Sequence, residues 1–270
     1  MKAKIFTFWE PRNNIHGYLN LCLKTWKKYL TNYDIVILDY MNLEQYLGKN
    51  FFDKSLYKNY SLAKQADAIR CAVLERYGGI WLDLDTIITS ENFEQMLNGL
   101  DAELVMFRKH LGFIYAQKNA TILRLWLNAI NDKLVWDKTN LLCRPMREVL
   151  KVFNPQKAHK MMSWSVLGND LLNPYLKEAR SKQFLSLNTN NSDDMPECKF
   201  ARLHDWQCKN NEKVFQKFYI ENDYSDFVLE NVDGIILLHN SWMPNKYKKL
   251  SEQEFLALDN TLSNLFKKIL

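Results

Sequence analysis

The chain has 270 residues, of which 47% are hydrophobic and 25% charged, in a mass of 32.1 kDa. This ordinary globular composition excludes a disordered or collagen-like chain and allows one large core or two small ones. Lys and Arg outnumber Asp and Glu by 36 to 31, an excess that suits anionic ligands or an anionic membrane surface but is too small for obligate nucleic-acid binding.

The first predicted elements alternate. Residues 4–9, KIFTFW, are β-branched and aromatic and stop before Pro11, which predicts a strand. Leu19, Leu23, Trp26 and Leu30 then recur at helical spacing over residues 18–31, and DIVILD (34–39) predicts a second, short buried strand. A helix follows over 61–79, with Ser61 as its cap and Gly78 and Gly79 as its stop. IWLDLDTII (80–88) predicts another strand. Strands alternating with helices indicate parallel βαβ units, an α/β fold in which ligands collect at the carboxyl ends of the strands.

Beyond residue 100, AELVMF and GFIYAQ predict a strand pair, NATILRLWLNAINDKLV a helix and 139–182 mostly helix. NTNNSDDMPEC (188–198) predicts a polar loop, and GIILLHNSW (234–242) a late apolar strand ending in polar groups. No internal repeat or domain linker is evident. The five cysteines (Cys22, Cys71, Cys143, Cys198, Cys208) are odd in number and lack a CxxC pair, which argues against a disulfide framework or a zinc site and for a reducing compartment. MKAKIFTFWEP has no apolar h-region and no run of about 18 apolar residues occurs, so a cytoplasmic protein is expected.

The chemistry concentrates in Ile80-Trp81-Leu82-Asp83-Leu84-Asp85. Side chains alternate, so Ile80, Leu82 and Leu84 share one face while Trp81, Asp83 and Asp85 share the other, and two carboxylates project together at a strand end. Like charges so close must share a proton, pair with basic groups or hold a cation. Two acids without a fuller oxygen cage suit Mg²⁺ or Mn²⁺, which keep open positions for phosphate oxygens. On the preceding helix Asp67 and Arg70 are i, i+3 neighbours that could face the aspartates, and the planar fork of Arg70 matches phosphate.

The run Ala66-Asp67-Ala68-Ile69-Arg70, followed by Tyr77-Gly78-Gly79-Ile80-Trp81-Leu82-Asp83-Leu84-Asp85, resembles the signature of glycosyltransferases with a sugar-binding DXD motif. That family includes bacterial capsular-polysaccharide and lipopolysaccharide sugar transferases, the yeast initiating mannosyltransferase and α-galactosyltransferases. The resemblance is dense over 61–88 and thinner elsewhere. It implies a single GT-A (Rossmann-like) domain with helical insertions, a nucleotide-sugar donor, Mn²⁺ or Mg²⁺, and transfer with retention of configuration. Asp83 and Asp85 would be the DXD pair, Asp85 on the metal and Asp83 toward ribose, sugar or metal. Asp67 would bind donor-sugar hydroxyls, and Arg70 the sugar or its phosphate. Trp9 stands where the family stacks a Trp on the base. His239-Asn240-Ser241-Trp242 is similar to the family's Ser-Trp segment, so Ser241 and Trp242 would bind the diphosphate and His239 is the expected third metal ligand. Gly168-Asn169-Asp170 stands where the family has a Gly-Pro turn near the transferred sugar; Asn169 replaces the proline, and Asp170 is the candidate for a catalytic contact.

The expected organisation is a catalytic domain over 1–245, its donor and metal half ending near 105 and its acceptor half covering 106–245. The expected reaction moves a hexose, with galactose from UDP-galactose favoured, to a saccharide or lipid-linked oligosaccharide acceptor in cell-surface polysaccharide synthesis. The alternatives are a non-catalytic carbohydrate-binding module and a nucleotidyltransferase acting on a sugar phosphate, although no Gly-rich phosphate loop is present. A glycosidase fits poorly, because its carboxylates must flank the scissile bond. Residues 246–270 carry Phe255, Leu258, Leu262, Leu265, Phe266 and Ile269 on one helical stripe flanked by lysines. This basic amphipathic helix would contact the inner face of a membrane peripherally, or pack on its own domain.

Overall fold

The computed structural model describes residues 2–49, 60–139, 164–187, 199–202, 221 and 225–270. Strand β1 (Ala3–Phe8) leads through a 3₁₀ turn (Arg12–Asn14) into α1 (Gly17–Tyr29), β2 (Tyr33–Leu38) and the short α2 (Leu43–Leu47). Then come α3 (Leu62–Tyr77), β3 (Gly79–Leu82), β4 (Thr86–Ile88), α4 (Asn92–Asn98), β5 (Leu104–Phe107), β6 (Phe113–Ala116) and α5 (Thr121–Thr139). The later elements are α6 (Asn169–Glu178), β7 (Phe184–Leu187), β8 (Lys199–Arg202), α7 (Ser225–Asn231) and β9 (Gly234–Leu237). A 3₁₀ turn (Asn240–Trp242) precedes α8 (Asn245–Lys248), α9 (Glu252–Leu256) and α10 (Thr261–Ile269).

Six strands form the main sheet in the order β2-β1-β3-β6-β5-β7. β1 runs parallel to both β2 and β3, as alternating βαβ units dictate, while β6 is antiparallel to β3 and β5. The α/β class expected from the sequence is therefore observed, in a mixed sheet. Side chains alternate between two cores: Ile5, Ile80, Leu82 and Phe113 face the layer of α1 and the C-terminal helices. Phe6, Trp81, Ile114 and Met106 face the layer of α3, α5 and α6. Cys22 and Cys71 are buried free thiols; the other three cysteines lie outside the described residues.

The expected strand 80–88 breaks in two, and the break creates the site. β3 ends at Leu82, Asp83–Asp85 turn, and β4 joins a separate three-stranded sheet, β4-β9-β8. Gly78 and Gly79 make the entry: both have positive φ (65° and 99°), and a Cβ would stand 2.6 Å from Lys118 N at the first and 2.5 Å from Lys4 O at the second. Only glycine lets α3 reverse so tightly into the middle of the sheet. Ser61 occupies the cap position, but its side chain makes no cap bond, and its hydroxyl is buried without a hydrogen-bond partner among the described residues.

Residues 246–270 do not form the single amphipathic helix that their periodicity predicts. They fold as three short helices, with Ser251 closing a capping box with Glu254 and Asn260 capping α10. Their apolar stripe faces inward: Phe255, Leu262, Leu265 and Phe266 are fully buried, against α1 and α7. Lys268 pairs with Asp226 at 2.6 Å, and Lys267 donates to Leu258 O at 3.1 Å. The stripe that a bilayer would need already packs on the protein's own core. The 140–163 part of the expected helical stretch and the expected polar loop 188–198 lie outside the described residues. No helix among the described residues is long and apolar enough to cross a membrane.

A chain ending at Asn245 is accordingly expected to lose its native fold. Each buried Phe or Leu contributes roughly 1.5–3 kcal/mol, so the loss approaches the whole stability of a typical domain. Near-UV circular dichroism checks this: a native spectrum with a sharp thermal transition in the truncated chain would contradict it.

Candidate active site

The site forms where the two sheets part. The chain leaves β3 at Asp83, whose amide donates to Gly112 O at 2.8 Å and so ties the turn to the β5–β6 hairpin. On the other side, Leu238 N donates to Asp85 O at 3.1 Å, and Asn240 N donates to the Asp85 carboxylate at 2.6 Å. Because β4 pairs antiparallel with β9 (Thr86 opposite Leu237), the end of β9 must arrive beside Asp85. This topology brings the His239–Trp242 segment to a motif more than 150 residues earlier in sequence.

α3 supplies the rest. Arg70 is buried, and its guanidinium links the acids: 3.2 Å to Asp83 and 3.5 Å to Asp67. It also donates to Leu111 O and to Ala66 O, the latter at 3.3 Å, and lies 5.0 Å from the Trp81 ring. Trp81 Nε1 in turn donates to Asp83 Oδ1 at 2.8 Å. The Arg70 fork expected to face phosphate is thus engaged by protein groups, with its charge held beside Asp83. Asp67 is 8% exposed, and burial pushes its carboxyl up to about 6 against the opposing pull of Arg70. Lys64, one turn earlier, is buried, which lowers its pKa, and stands within electrostatic reach of Asp67.

Asp85 is the most perturbed of these acids, pushed up to about 7 by burial and by the neighbouring charge of Asp83. Its backbone hydrogen bonds only partly oppose this. His239, the expected third metal ligand, follows the end of β9 beside Asp85. Its ring lies 4.3 Å from Trp242, and among the described residues no three His, Cys, Asp or Glu side chains are arranged to hold a metal. The two carboxylates themselves suit a divalent ion, whose charge would offset the repulsion that raises Asp85.

The Gly168 turn arrives from a different layer. Trp126 on α5 donates to Leu167 O at 2.8 Å, seating Gly168 against α3. There a Cβ would lie 2.6 Å from Asp67 Oδ2. The Asn169 side chain donates to Lys109 O at 3.1 Å, while its amide oxygen Oδ1 is buried without a hydrogen-bond partner among the described residues. Asp170 is exposed, accepts from Ser165 Oγ at 2.6 Å and acts electrostatically on Asp67. Trp9, just past β1, contacts His16 at 5.4 Å and donates through its indole to Asn14 O at 3.2 Å. The His16 ring stacks on Tyr18, and the Tyr18 hydroxyl donates to Asn240 Oδ1. Ser241 is exposed in the 3₁₀ turn beside Trp242.

Three contributors escaped the sequence reading. His110 accepts from Gly112 N at 3.1 Å, and its ring lies 6.1 Å from His239; the Lys-His-Leu-Gly hairpin was its only local signal. Asn240 holds Asp85 through its backbone, and Tyr18 holds Asn240. No residue-type motif marks a backbone donor.

Comparison with known proteins places the chain. No curated protein matches it. Among solved structures, PaToxG glycosyltransferase is 18% identical over 64% of this chain and 79% of its own, with a TM-score of 0.37. The apo-form glycosyltransferase GlyE of Streptococcus pneumoniae TIGR4 is 13% identical over all of this chain, with a TM-score of 0.45, and the chain spans 60% of its length. The family model described as capsular polysaccharide synthesis protein matches residues 1–153, a stretch that holds Asp67, Arg70, Asp83 and Asp85 and more than half of the sequence. The chain belongs to the capsular polysaccharide synthesis protein family.

Proposed function

We propose that the chain is a metal-dependent glycosyltransferase of GT-A-like fold, which moves a hexose from a nucleotide diphosphate sugar to a saccharide hydroxyl with retention of configuration. The observation that carries this is the Asp83–Asp85 turn: two carboxylates, one pushed up to about 7, lie between the sheets with the Arg70 charge beside them. A UDP-hexose, with galactose favoured, is the donor, and Mn²⁺ or Mg²⁺ is the cofactor.

Asp83 and Asp85 would hold the cation, which supplies charge to stabilise the leaving diphosphate. The chain's own residues prepare that event. Arg70 fixes Asp83 and Asp67 in place and adds a positive charge where negative charge develops, an arrangement that favours the transition state over the ground state. Asp67 and the Gly168 turn, in contact with one another, form a wall suited to donor-sugar hydroxyls. His239 and Trp242 border the diphosphate, and Trp9 offers a face to the base. Asn240, braced by Tyr18, keeps the Asp85 carboxylate aimed. No nucleophile is assigned, in keeping with attack assisted by the departing phosphate.

UDP is expected to raise the melting temperature only with Mn²⁺ or Mg²⁺ present, because the bare aspartates repel a diphosphate. At a hundredfold excess over Kd the stabilisation is about 2.7 kcal/mol. A thermal-shift panel of UDP, GDP and UDP-sugars, with and without EDTA, tests this. An equal shift in EDTA would remove the metal from the reading, and no shift with any nucleotide would favour a carbohydrate-binding module.

A further inference from the structure

A groove of about 950 Å³ lies between the start of α1 and helices α8 and α9. Its base is tightly closed: a Cβ on Gly17 would lie 2.5 Å from Leu250 O. Lys248 in the lining stands within electrostatic reach of Asp85, and Tyr18, the residue after Gly17, bonds Asn240, which bonds Asp85. The lining includes Asn14, Asn20, Asn245 and Gln253, residue types whose side-chain amides match the paired donors and acceptors of sugar hydroxyls.

The charges in this groove are unequal. Glu252 is paired with Lys24, and the Glu254 carboxylate accepts from Ser251 N at 2.8 Å in its capping box. Lys248 and Lys249 have no side-chain hydrogen bond or ion pair among the described residues. The N-terminus of the 13-residue α1 also opens here, and its cap residue His16 makes no side-chain cap bond. Lys24 is thus occupied by Glu252, whereas Lys249 and Lys248 remain for a ligand, Lys248 also lying within electrostatic reach of Asp85.

We propose that this groove is the acceptor subsite and that it takes an acidic saccharide, one carrying a carboxylate or phosphate substituent. The proposal rests on the glycosyltransferase reading. Sugar hydroxyls meet the amides, and the anionic substituent meets Lys248, Lys249 and the start of α1. Lys248, within electrostatic reach of Asp85, links the occupied groove to the acidic pair.

Calorimetry on the full chain tests this with three probes: a tetrasaccharide of alternating glucuronate and N-acetylglucosamine, neutral maltotetraose, and inorganic phosphate. The acidic tetrasaccharide is expected to bind at least about tenfold more tightly than either of the others. Lys249→Glu, at an exposed position, should abolish that preference, and Lys248→Gln should weaken it. Equal binding of maltotetraose, indifference to both substitutions, or no binding of any probe would overturn the proposal. Phosphate binding as tightly as the tetrasaccharide would reduce the groove to a simple anion site and also overturn it. UDP with Mn²⁺ should still stabilise Lys249→Glu as it does the unaltered chain; loss of that stabilisation in both proteins would count against the glycosyltransferase reading instead.

Discussion

Asp85→Asn is expected to lower transfer at least about a hundredfold while the fold survives, the scale on which removal of one key electrostatic group acts. Asparagine keeps the oxygen that accepts from Asn240 N but loses the charge that a cation needs. Its effect on stability has a definite sign. The Asp85 carboxyl is raised from 3.8 to about 7 in the folded chain, so the folded state binds the proton more tightly than the unfolded one. Stability therefore falls as pH rises from about 4 to about 7. In EDTA the Asn variant should melt higher than the unaltered chain at pH 8 and match it near pH 4. Unaltered turnover in a folded Asn variant would show that no metal is held at Asp85, and a lower melting temperature at pH 8 would contradict the buried repulsion between the aspartates.

Arg70→Gln should be more damaging, because it affects both fold and chemistry. The substitution leaves Asp67 and Asp83 without the cation between them and Leu111 O without its donor. Breaking a buried ion pair by removing one partner costs about 3–5 kcal/mol, and turnover should fall by a further two to three orders of magnitude. Arg70→Lys separates the two effects. It restores charge but cannot bridge two carboxylates and a carbonyl with a planar fork, so stability should recover in part while turnover stays at least about tenfold low. Thermal melts and steady-state assays on the two variants decide this. A Lys variant with full activity would reduce Arg70 to a point charge, and a Gln variant as stable as the unaltered chain would show that the ion pairs contribute nothing.

Much of the site was legible because its signals are local. Asp67 and Arg70 lie three residues apart on one helix, Gly78-Gly79 marks a reversal, and Asp83 and Asp85 follow within six residues. Such spacing constrains direction through helix and strand geometry alone, and the structure does bring these four side chains together. Asp170 and His239 show the limit. Each lies in a segment near the site, but whether a side chain turns to the aspartates depends on packing partners, here Ser165 for one and Trp242 for the other.

The amino-acid sequence alone determined the α/β alternation, the boundaries of β1, α1, β2 and α3 to within two residues, and the place of the acidic pair in the chain, since these follow from periodicity and glycine stops over short stretches. Tertiary structure decided what local rules leave degenerate. IWLDLDTII alternates without interruption, so only competition between two sheets for its two halves reveals that it breaks at Asp83. The stripe of 246–270 has the same apolar spacing whether it meets lipid or protein, and the uncovered faces of α1 and α7 settled the choice. The meeting of Asp85 with Asn240 is a long-range hydrogen bond to a backbone amide, a group that every residue except proline carries and that no sequence pattern can single out.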